Sequence, residues 1–381
     1  MKIAIEAQRI FRPNKHGMDF VVLESIRQLQ QIDHENEYFI IVAPGADVCL
    51  TETPNFHIII LKSSGGYPVW EQIALPRLIN NLKPDLLHCT SNTAPVNISV
   101  PLIITLHDII FLEKQQTVNT SFYQRLGRIY RKIIVPVILG KCKKIITVSN
   151  FEKERIANYL NLDRDKLIAI YNGFSDHFHQ ISRDECLSIT KKYINADKYI
   201  FFLGNTDPKK NTINTLKAYA QYVEQSADPA KLLIADLNDE LLKRYLIENN
   251  LTSIESMVIC PGYISNKDLP FIYSAADTFL YTSLRESFGI PLLEAMACGT
   301  PVITSDRSAL PEIAGSGAIL ADPTNSSDIA AYLLKLEINP DFRLKTIQYG
   351  LERVKLFSWR NTAVELLKLY TNIILQDGNK K

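Results

Sequence analysis

The chain has 381 residues, and its 42 basic and 41 acidic side chains give a formal net charge of +1. A charge so close to zero excludes bulk electrostatic attraction to a polyanion and gives no support to nucleic acid as a partner. The uncharged apolar run 133–139 is far shorter than the roughly 20 residues of a membrane span. The six scattered cysteines include no CxxC pair, which is typical of a reducing compartment. We therefore expect a cytoplasmic globular protein.

The first half of the chain alternates short apolar runs with segments of helical periodicity, such as 19–32 and 150–160. Nearly continuous apolar runs of this length are typical of strands that are covered on both faces, as in a parallel sheet. Repeated strand–helix alternation favours an open, doubly wound sheet. The predicted strands of this half are 2–7, 38–43, 56–61, 85–90, 102–108, 144–149 and 166–173.

The second half repeats the alternation after a polar stretch at 176–197. We therefore predict an α/β protein with two doubly wound, Rossmann-like domains at 1–173 and 199–356, joined by a linker at 174–198. Ligands of such folds bind at the carboxyl ends of the strands, so we expect the two sheets to face each other across a cleft. The predicted strands of the second domain are 199–205, 231–237, 256–262, 278–283, 300–306 and 317–323.

The most informative segment is 285–295, which follows the predicted strand 278–283 and leads into a helix at Pro291. The start of a helix offers unpaired N–H groups and a partial positive charge, which suit a phosphate. Glu286 precedes the helix and Glu294 lies one turn inside it, and each carboxylate can accept hydrogen bonds from vicinal hydroxyls. The segment therefore predicts a site for a sugar, a diphosphate and a ribose.

The spacing of Glu286 and Glu294 resembles the E-x7-E pattern of retaining GT-B glycosyltransferases, and the continuation 294–323 is similar to family 4, the glycosyl transferases group 1. The resemblance implies a GT-B architecture with a final helix at 357–381 that crosses back to an acceptor-binding first domain. It implies that Glu286 contacts donor-sugar hydroxyls and that Glu294 contacts the ribose. The backbone amides that it places against the sugar and phosphates are those of Phe288, Gly289 and Ile290.

A second match lies between the predicted strand 199–205 and the next helix. Gly204 permits close approach of the backbone, and Lys210 can meet a diphosphate as a point charge. The family pattern is similar, but this chain has Asn205 where arginine often follows the glycine, and Lys209 where a close subgroup has arginine. We predict that Lys209 and Lys210 both serve the donor phosphates, and the sequence does not decide between them.

A third match ends the predicted strand 102–108, where functional residues of this architecture are expected. The resemblance to a T-x-H-D segment implies that His107 lies close to the transferring sugar and that Asp108 orients it or helps to bind the acceptor. The resemblance also implies that Gly17 lies in a loop near the donor phosphates, and that Tyr263 and Ile264 lie against the nucleotide base.

Weaker likenesses concern the acceptor side, where five residues resemble the acceptor-side loops of one subgroup. They are Trp70, Glu71, Gln72, His88 and Asn92. The segment 163–165 has the letters Asp-x-Asp of metal-dependent transferases. It stands between a helix and a strand, at the wrong end of the sheet, so we read it as a solvated turn. We expect no metal and no cofactor.

The stretch 125–144 contains seven lysine and arginine residues and no acidic residue. A basic helix beside an apolar run can rest on an anionic membrane surface, which would suit a lipid-linked acceptor. We therefore expect a peripheral contact with the inner membrane face through this stretch.

The sequence thus predicts a retaining, metal-independent hexosyltransferase of surface polysaccharide or lipopolysaccharide assembly. Its donor is a nucleotide diphosphate sugar, with GDP-mannose slightly favoured over UDP-sugars, and its acceptor is a glycan or a lipid-linked glycan. One alternative is a sugar-nucleotide epimerase of the same fold, which would not need both glutamates. Another is a non-catalytic protein that binds a sugar nucleotide, which has no reason to keep His107.

Overall fold

The computed structural model describes residues 1–113 and 122–378. Contacts divide the chain into two compact units. The first unit consists of Met1–Gly173 together with the chain from Trp359 onward, and the second unit is Phe174–Ser358. The second unit is therefore an insertion in the sequence of the first.

The first unit is built on a seven-stranded sheet in the order β3-β2-β1-β4-β5-β6-β7. Every pair of neighbouring strands is parallel, and the central strands β4 and β5 are buried along their whole length. The strands are β1 (Lys2–Glu6), β2 (Glu37–Val42), β3 (Phe56–Ile60), β4 (Leu86–Cys89), β5 (Leu102–Thr105), β6 (Lys144–Thr147) and β7 (Leu167–Ala169).

The second unit has a six-stranded parallel sheet in the order β10-β9-β8-β11-β12-β13. Its strands are β8 (Tyr199–Leu203), β9 (Lys231–Ala235), β10 (Val258–Gly262), β11 (Thr278–Tyr281), β12 (Val302–Ser305) and β13 (Ile319–Ala321). Each strand of these two sheets lies within or overlaps a predicted strand, so the prediction of two doubly wound sheets is confirmed.

The α-helices alternate with the strands in both units. They are α1 (Gly17–Ile32), α2 (Gly66–Val69), α3 (Leu75–Leu82), α4 (Phe122–Lys141), α5 (Asn150–Leu160), α6 (Arg183–Thr190), α7 (Thr212–Gln225), α8 (Asp239–Glu248), α9 (Leu269–Ala275), α10 (Ile290–Ala297), α11 (Leu310–Ala314), α12 (Ser326–Ile338), α13 (Pro340–Val354) and α14 (Trp359–Gly378). A π-helical turn, Trp70–Ala74, joins α2 to α3. Across residues 1–113 and 122–378, no helix combines the length and hydropathy that a membrane span requires.

The segment 174–198, which the sequence predicts as a linker, contains α6 and is part of the second unit. Ser182 caps α6 by accepting a hydrogen bond from the Glu185 N–H, and the Glu185 carboxylate accepts one from the Ser182 N–H in return. Cys186 of α6 is fully buried, and the helix packs against α9. The segment therefore adds to the core of the second unit.

The last helix, α14, packs against α1 and completes the core of the first unit. Tyr370 of α14 is fully buried, and its hydroxyl lies 2.7 Å from Nδ1 of His88. Nε2 of His88 lies 2.7 Å from the hydroxyl of Thr105. Burial lowers the pKa of His88 to about 3, so the ring is neutral. His88, which the resemblance assigned to an acceptor-side loop, instead ties α14 to β4 and β5.

The segment 163–165 is a capped turn, as predicted. The Asp163 carboxylate accepts a hydrogen bond from the Asp165 N–H at 2.9 Å, which starts a short 3-10 helix, Arg164–Lys166. The Asp163 carboxylate is therefore used in capping.

Candidate functional site

The loop before α10 turns sharply into the helix at Gly289. Its φ is +103°, and a Cβ at this position would stand 2.8 Å from a methyl carbon of Leu310, so only glycine fits. Pro291 lies in the first turn, as the sequence predicts. Gly289 has no side chain with which to cap α10, and the first N–H groups of the helix are thus suited to an anion.

Glu286 and Lys210 meet beside this loop. Lys210 Nζ donates to Glu286 Oε1 at 2.8 Å, and the same Nζ lies 5.2 Å from the centre of the Tyr281 ring. The Glu286 N–H donates to the hydroxyl of Ser308 at 3.0 Å, which fixes the loop. A carboxylate and an ammonium group that are each partly exposed can bind sugar hydroxyls and a phosphate.

The two lysines of the second match have different surroundings. Both lie in the short 3-10 helix Pro208–Lys210. Nζ of Lys209 lies 3.4 Å from Oδ2 of Asp207, whereas Nζ of Lys210 contacts Glu286. Asn211 holds the end of this turn with a φ of +60° and donates to the carbonyl oxygens of Thr282 and Pro323. Lys210 is therefore the lysine of this pair that contacts Glu286.

Gly204 directly follows β8, and its surroundings differ from those that the sequence suggests. A Cβ on this residue would stand 2.3 Å from Cε1 of Phe202, so the ring occupies the space of a side chain. Phe202 is buried in the core of the second unit. Packing alone is thus sufficient to require glycine here.

Glu294 lies on α10, and its carboxylate accepts a long hydrogen bond of 3.4 Å from the Tyr273 hydroxyl. Burial raises the pKa of Glu294 to about 8. Burial also raises the pKa of Tyr281 well above its usual value, and Glu286 and Glu294 both add to this rise. Tyr281 therefore lies within electrostatic reach of both glutamates.

The side chain of Phe288 is buried and meets Phe357 edge-on, with ring centres 6.0 Å apart. The side chain of Phe288 therefore belongs to the core, and the contact of its backbone amide with a ligand stays a prediction. Ile290 is the first residue of α10 and is partly buried.

The loop after β10 contains the residues predicted to contact the base. Tyr263 is 76% exposed and available to a ligand, whereas Ile264 is 4% exposed and belongs to the core. Asp236, after β9, donates its N–H to the carbonyl oxygen of Gly262 at 3.1 Å. Burial raises the pKa of Asp236 and the charge of Lys210 lowers it, so Asp236 belongs to the surroundings of Lys210.

Sequence reasoning missed Tyr281, Ser308 and Asp236. Tyr281 and Asp236 each stand at the carboxyl end of a strand, β11 and β9, and this position was the signal that could have found them. Ser308 has no such signal, because its contact with Glu286 joins residues 22 positions apart.

In the first unit, His107 follows β5 and is held by two contacts. Its backbone N–H donates to the Asn92 side-chain oxygen at 2.6 Å. Its ring Nε2 lies 3.1 Å from the carbonyl oxygen of Thr90. Because a carbonyl only accepts, Nε2 carries the proton. Burial lowers the pKa of His107, so the ring favours the neutral form with Nδ1 as an acceptor.

Asp108 caps the next turn. Its Oδ1 accepts a hydrogen bond from the Ile110 N–H at 2.9 Å, which starts the 3-10 helix Ile110–Leu112. Asn92 and Thr90, and not Asp108, hold His107 by hydrogen bonds in the part of the chain that the structure describes. Asp108 acts on His107 only through its charge, which raises the pKa of His107.

Glu71, from the subgroup likeness, is buried among hydrogen-bond donors. The Tyr67 hydroxyl donates to it at 2.6 Å and the Gln72 amide at 2.9 Å. Two further hydroxyls, those of Thr93 and Tyr130, also donate to this carboxylate. Glu71 therefore holds α4 to the π-helical turn and to the loop after β4.

Gly17 is the first residue of α1 and is exposed. An added Cβ would meet no atom within 4 Å, so packing does not explain the glycine. Trp70, by contrast, is buried and donates its Nε1–H to the carbonyl oxygen of Leu61 at 2.9 Å. Of these two residues, only Gly17 leaves open space for a ligand.

Solved structures of other proteins share this fold. A sucrose-phosphate synthase from Thermosynechococcus elongatus matches with a TM-score of 0.76 and 18% identity, over 98% of this chain and 99% of that one. The Anabaena protein HepE in complex with UDP matches with a TM-score of 0.72 and 17% identity, over 98% and 100%. At these identities the likeness shows the fold. It is the GT-B fold of two Rossmann-like domains, as predicted.

Two family models cover most of the chain, one in each half. The model described as Glycosyltransferase Family 4 matches residues 16–178, and the model described as Glycosyl transferases group 1 matches residues 188–353. The chain therefore belongs to glycosyltransferase family 4, the glycosyl transferases group 1, which the resemblance at Glu286 and Glu294 predicted.

Among individual relatives, the O-antigen chain mannosyltransferase B of Escherichia coli is 32% identical over 236 residues, 61% of this chain and 61% of that protein. The serotype-specific mannosyltransferase WbdA of Escherichia coli is 24% identical over 319 residues, 80% of this chain but 38% of its own length. The O-antigen chain mannosyltransferase RfbU of Salmonella typhimurium is 25% identical over 297 residues, 72% and 78%. The match thus spans less than two thirds of the first two relatives.

Proposed function

We propose that this protein is a glycosyltransferase of surface polysaccharide assembly. It moves a hexose from a nucleotide diphosphate sugar to a glycan or lipid-linked acceptor. The observation that carries the proposal is the meeting of Lys210 and Glu286 beside the loop that enters α10. A cation and a helix start suit a diphosphate, and a carboxylate suits sugar hydroxyls.

The proposed donor is GDP-mannose in preference to a UDP-sugar. Its support is the names of the relatives, which are mannosyltransferases of O-antigen chains. The HepE structures hold UDP, or UDP-glucose, so the same fold takes another nucleotide in another protein. The proposed contacts are Glu294 with the ribose and Tyr263 with the base.

The proposed reaction retains the anomeric configuration. The bond from the anomeric carbon to the diphosphate oxygen breaks, and the acceptor oxygen attacks on the same face. The leaving phosphate oxygen takes the acceptor proton. Lys210 and the N–H groups at the start of α10 stabilise the departing diphosphate, so no protein nucleophile and no metal ion are needed.

His107 has the proposed role of holding the transferring sugar. Neutral imidazole with a fixed Nε2 proton offers Nδ1 as an acceptor for a sugar hydroxyl. Its burial and the two contacts to Asn92 and Thr90 fix its orientation before the substrate binds. Positioning of this kind accelerates a reaction without any change of charge on the residue.

The experiment that tests the proposal is incubation with GDP-mannose in excess EDTA. We expect slow release of GDP, because water can replace the acceptor. Proton NMR identifies the anomer of mannose that forms first, and retention predicts the same anomeric configuration as in GDP-mannose. An epimerase would alter the sugar without releasing GDP, and a binding protein would do neither. Release that requires an added divalent metal would contradict metal independence. No nucleotide release from GDP-mannose or from UDP-sugars would contradict the enzyme.

We further propose that α4 rests on an anionic membrane surface. Leu126, Ile129, Ile133 and Val137 follow at helical spacing and are 49%, 54%, 62% and 46% exposed, respectively. We call these four residues the apolar stripe. Exposed cations adjoin the stripe, among them Lys132. An apolar face with flanking cations matches the headgroup region of a bilayer with anionic lipids.

Co-sedimentation with vesicles of phosphatidylglycerol and phosphatidylcholine at low salt measures this contact. We expect the wild type to bind, and the variant Ile129→Ser/Ile133→Ser to bind at least about tenfold more weakly, since each lost apolar contact weakens insertion. Ile338→Ser is the matched control, because Ile338 is 76% exposed in the second unit. Failure of the wild type to sediment with these vesicles would refute the contact.

A further inference from the structure

The arginines of the first unit differ in whether their guanidinium groups form ion pairs or hydrogen bonds. Arg12 forms an ion pair with Asp19, and Arg128 donates to two carbonyl oxygens. Arg9 and Arg131 are partly buried, yet neither guanidinium forms a hydrogen bond or an ion pair with any residue in 1–113 or 122–378. The Arg131 Nε is buried and has no partner among these residues. A buried donor without a partner is costly and asks for an explanation.

Both guanidinium groups lie against aromatic rings at the carboxyl edge of the first sheet. The Arg9 guanidinium carbon is 5.5 Å from the centre of the Tyr67 ring, in the loop after β1. The corresponding carbon of Arg131, on α4, is 5.6 Å from the centre of the Phe111 ring. The Tyr67 and Tyr130 rings meet edge-on at 6.0 Å, which brings the loop after β1 and α4 to one place. The rings hold the arginines without neutralising them.

The two charges also repel each other. Burial lowers the pKa of Arg131, and the charge of Arg9 lowers it further. Asp108 opposes this effect through its charge, but in the described chain it forms no ion pair with either arginine. Two like charges that share one partly buried place are stabilised by an anion between them.

We propose that Arg9 and Arg131 bind the diphosphate of a lipid-linked acceptor. This inference rests on the proposed function. Guanidinium groups present paired N–H donors that match phosphate oxygens. The donor diphosphate has its own cation and helix start in the second unit, at Lys210 and α10. The helix that carries Arg131 also carries the apolar stripe, so a diphosphate linked to a lipid in the membrane would meet α4 first.

Isothermal titration with geranyl diphosphate, in the presence of saturating GDP, tests the proposal. Saturating GDP blocks the donor site, so the titration reports a second diphosphate site. We expect Arg9→Gln and Arg131→Gln each to weaken binding at least about tenfold, as for a lost charge-assisted hydrogen bond. The double variant is expected to lose less than the product of the two factors, because both groups bind one anion. Arg77→Gln, on exposed α3 surface, is the matched control and should bind as the wild type does.

Two results would overturn the proposal. One is wild-type affinity for geranyl diphosphate in both Arg9→Gln and Arg131→Gln. The other is a loss of GDP affinity in these variants at least as large as the loss for geranyl diphosphate, which would assign the arginines to the donor. Circular dichroism and the melting temperature show whether each variant is folded. Failure of the proposed function is seen separately, because release of GDP from GDP-mannose needs no acceptor.

Discussion

Lys210→Ala is expected to lower kcat/KM for hexose transfer at least about a hundredfold, as for removal of one preorganised electrostatic group at a leaving group. The ammonium group of Lys210 lies 2.8 Å from Glu286 in the loop that enters α10. In the proposed reaction it meets the negative charge that grows on the diphosphate. Steady-state kinetics with GDP-mannose measure the effect.

Lys209→Ala is the matched control for this variant. The two lysines are neighbours in sequence, but Lys209 lies near Asp207, whereas Lys210 contacts Glu286. We expect the Lys209 variant to keep kcat/KM within about tenfold, as for a charge in a surface ion pair. Equal losses in both variants would show that the positive charge of the loop acts as a whole, and that the contact with Glu286 has no special role.

His107→Ala is expected to lower kcat by about a hundredfold or more and to leave the affinity for GDP unchanged. The ring is buried and fixed by Thr90, and its proposed partner is the sugar and not the nucleotide. Single-turnover kinetics give the rate of transfer, and titration with GDP gives the affinity. The two quantities therefore separate a role in transfer from a role in binding.

His57→Ala is the matched control, since His57 stands on β3 with a partly exposed side chain. It should alter neither quantity. A His107→Ala variant that transfers sugar at the wild-type rate would remove His107 from the site. A loss of GDP affinity of the same size as the loss of kcat would give His107 a place in nucleotide binding instead.

The strands were predictable because both sheets are parallel and covered on both faces. Runs such as 199–205 and 278–283 are apolar almost throughout, and such runs in alternation with helices are typical of parallel sheets that helices cover. The start of α10 was also predictable, since Pro291 and the following apolar spacing are local signals. The strand ends were less so. The strand predicted at 102–108 ends at Thr105, and His107 and Asp108 bend away to make their own contacts.

The surroundings of the site could not be predicted in the same way. The difference between Lys209 and Lys210 depends on which side chain reaches Glu286, 76 residues further along the chain. The place of His88 depends on Tyr370, 282 residues away. Side-chain contacts over such separations follow from the packing of the whole unit, and a single sequence carries no local pattern for them.

The helix α6 was missed although a local signal existed. Ser182 and Glu185 form the S-x-x-E pattern of a capping box, which marks the start of a helix. The surrounding stretch 176–197 is polar, and that composition outweighed the cap in the interpretation of the sequence. One buried residue on each turn, here Cys186 and Thr190, is enough to anchor so short a helix.

The return of α14 to the first unit has a consequence for synthesis on the ribosome. The ribosome makes residues 1–173 first, but the helix that fills their core arrives only after the whole of Phe174–Ser358 has been made. Until then α14 does not cover the surface of residues 1–173 on which it packs, and His88 lacks its contact with the Tyr370 hydroxyl. All residues of the inserted unit thus leave the ribosome before the first unit has its last helix, so the second unit can complete its core before the first unit does.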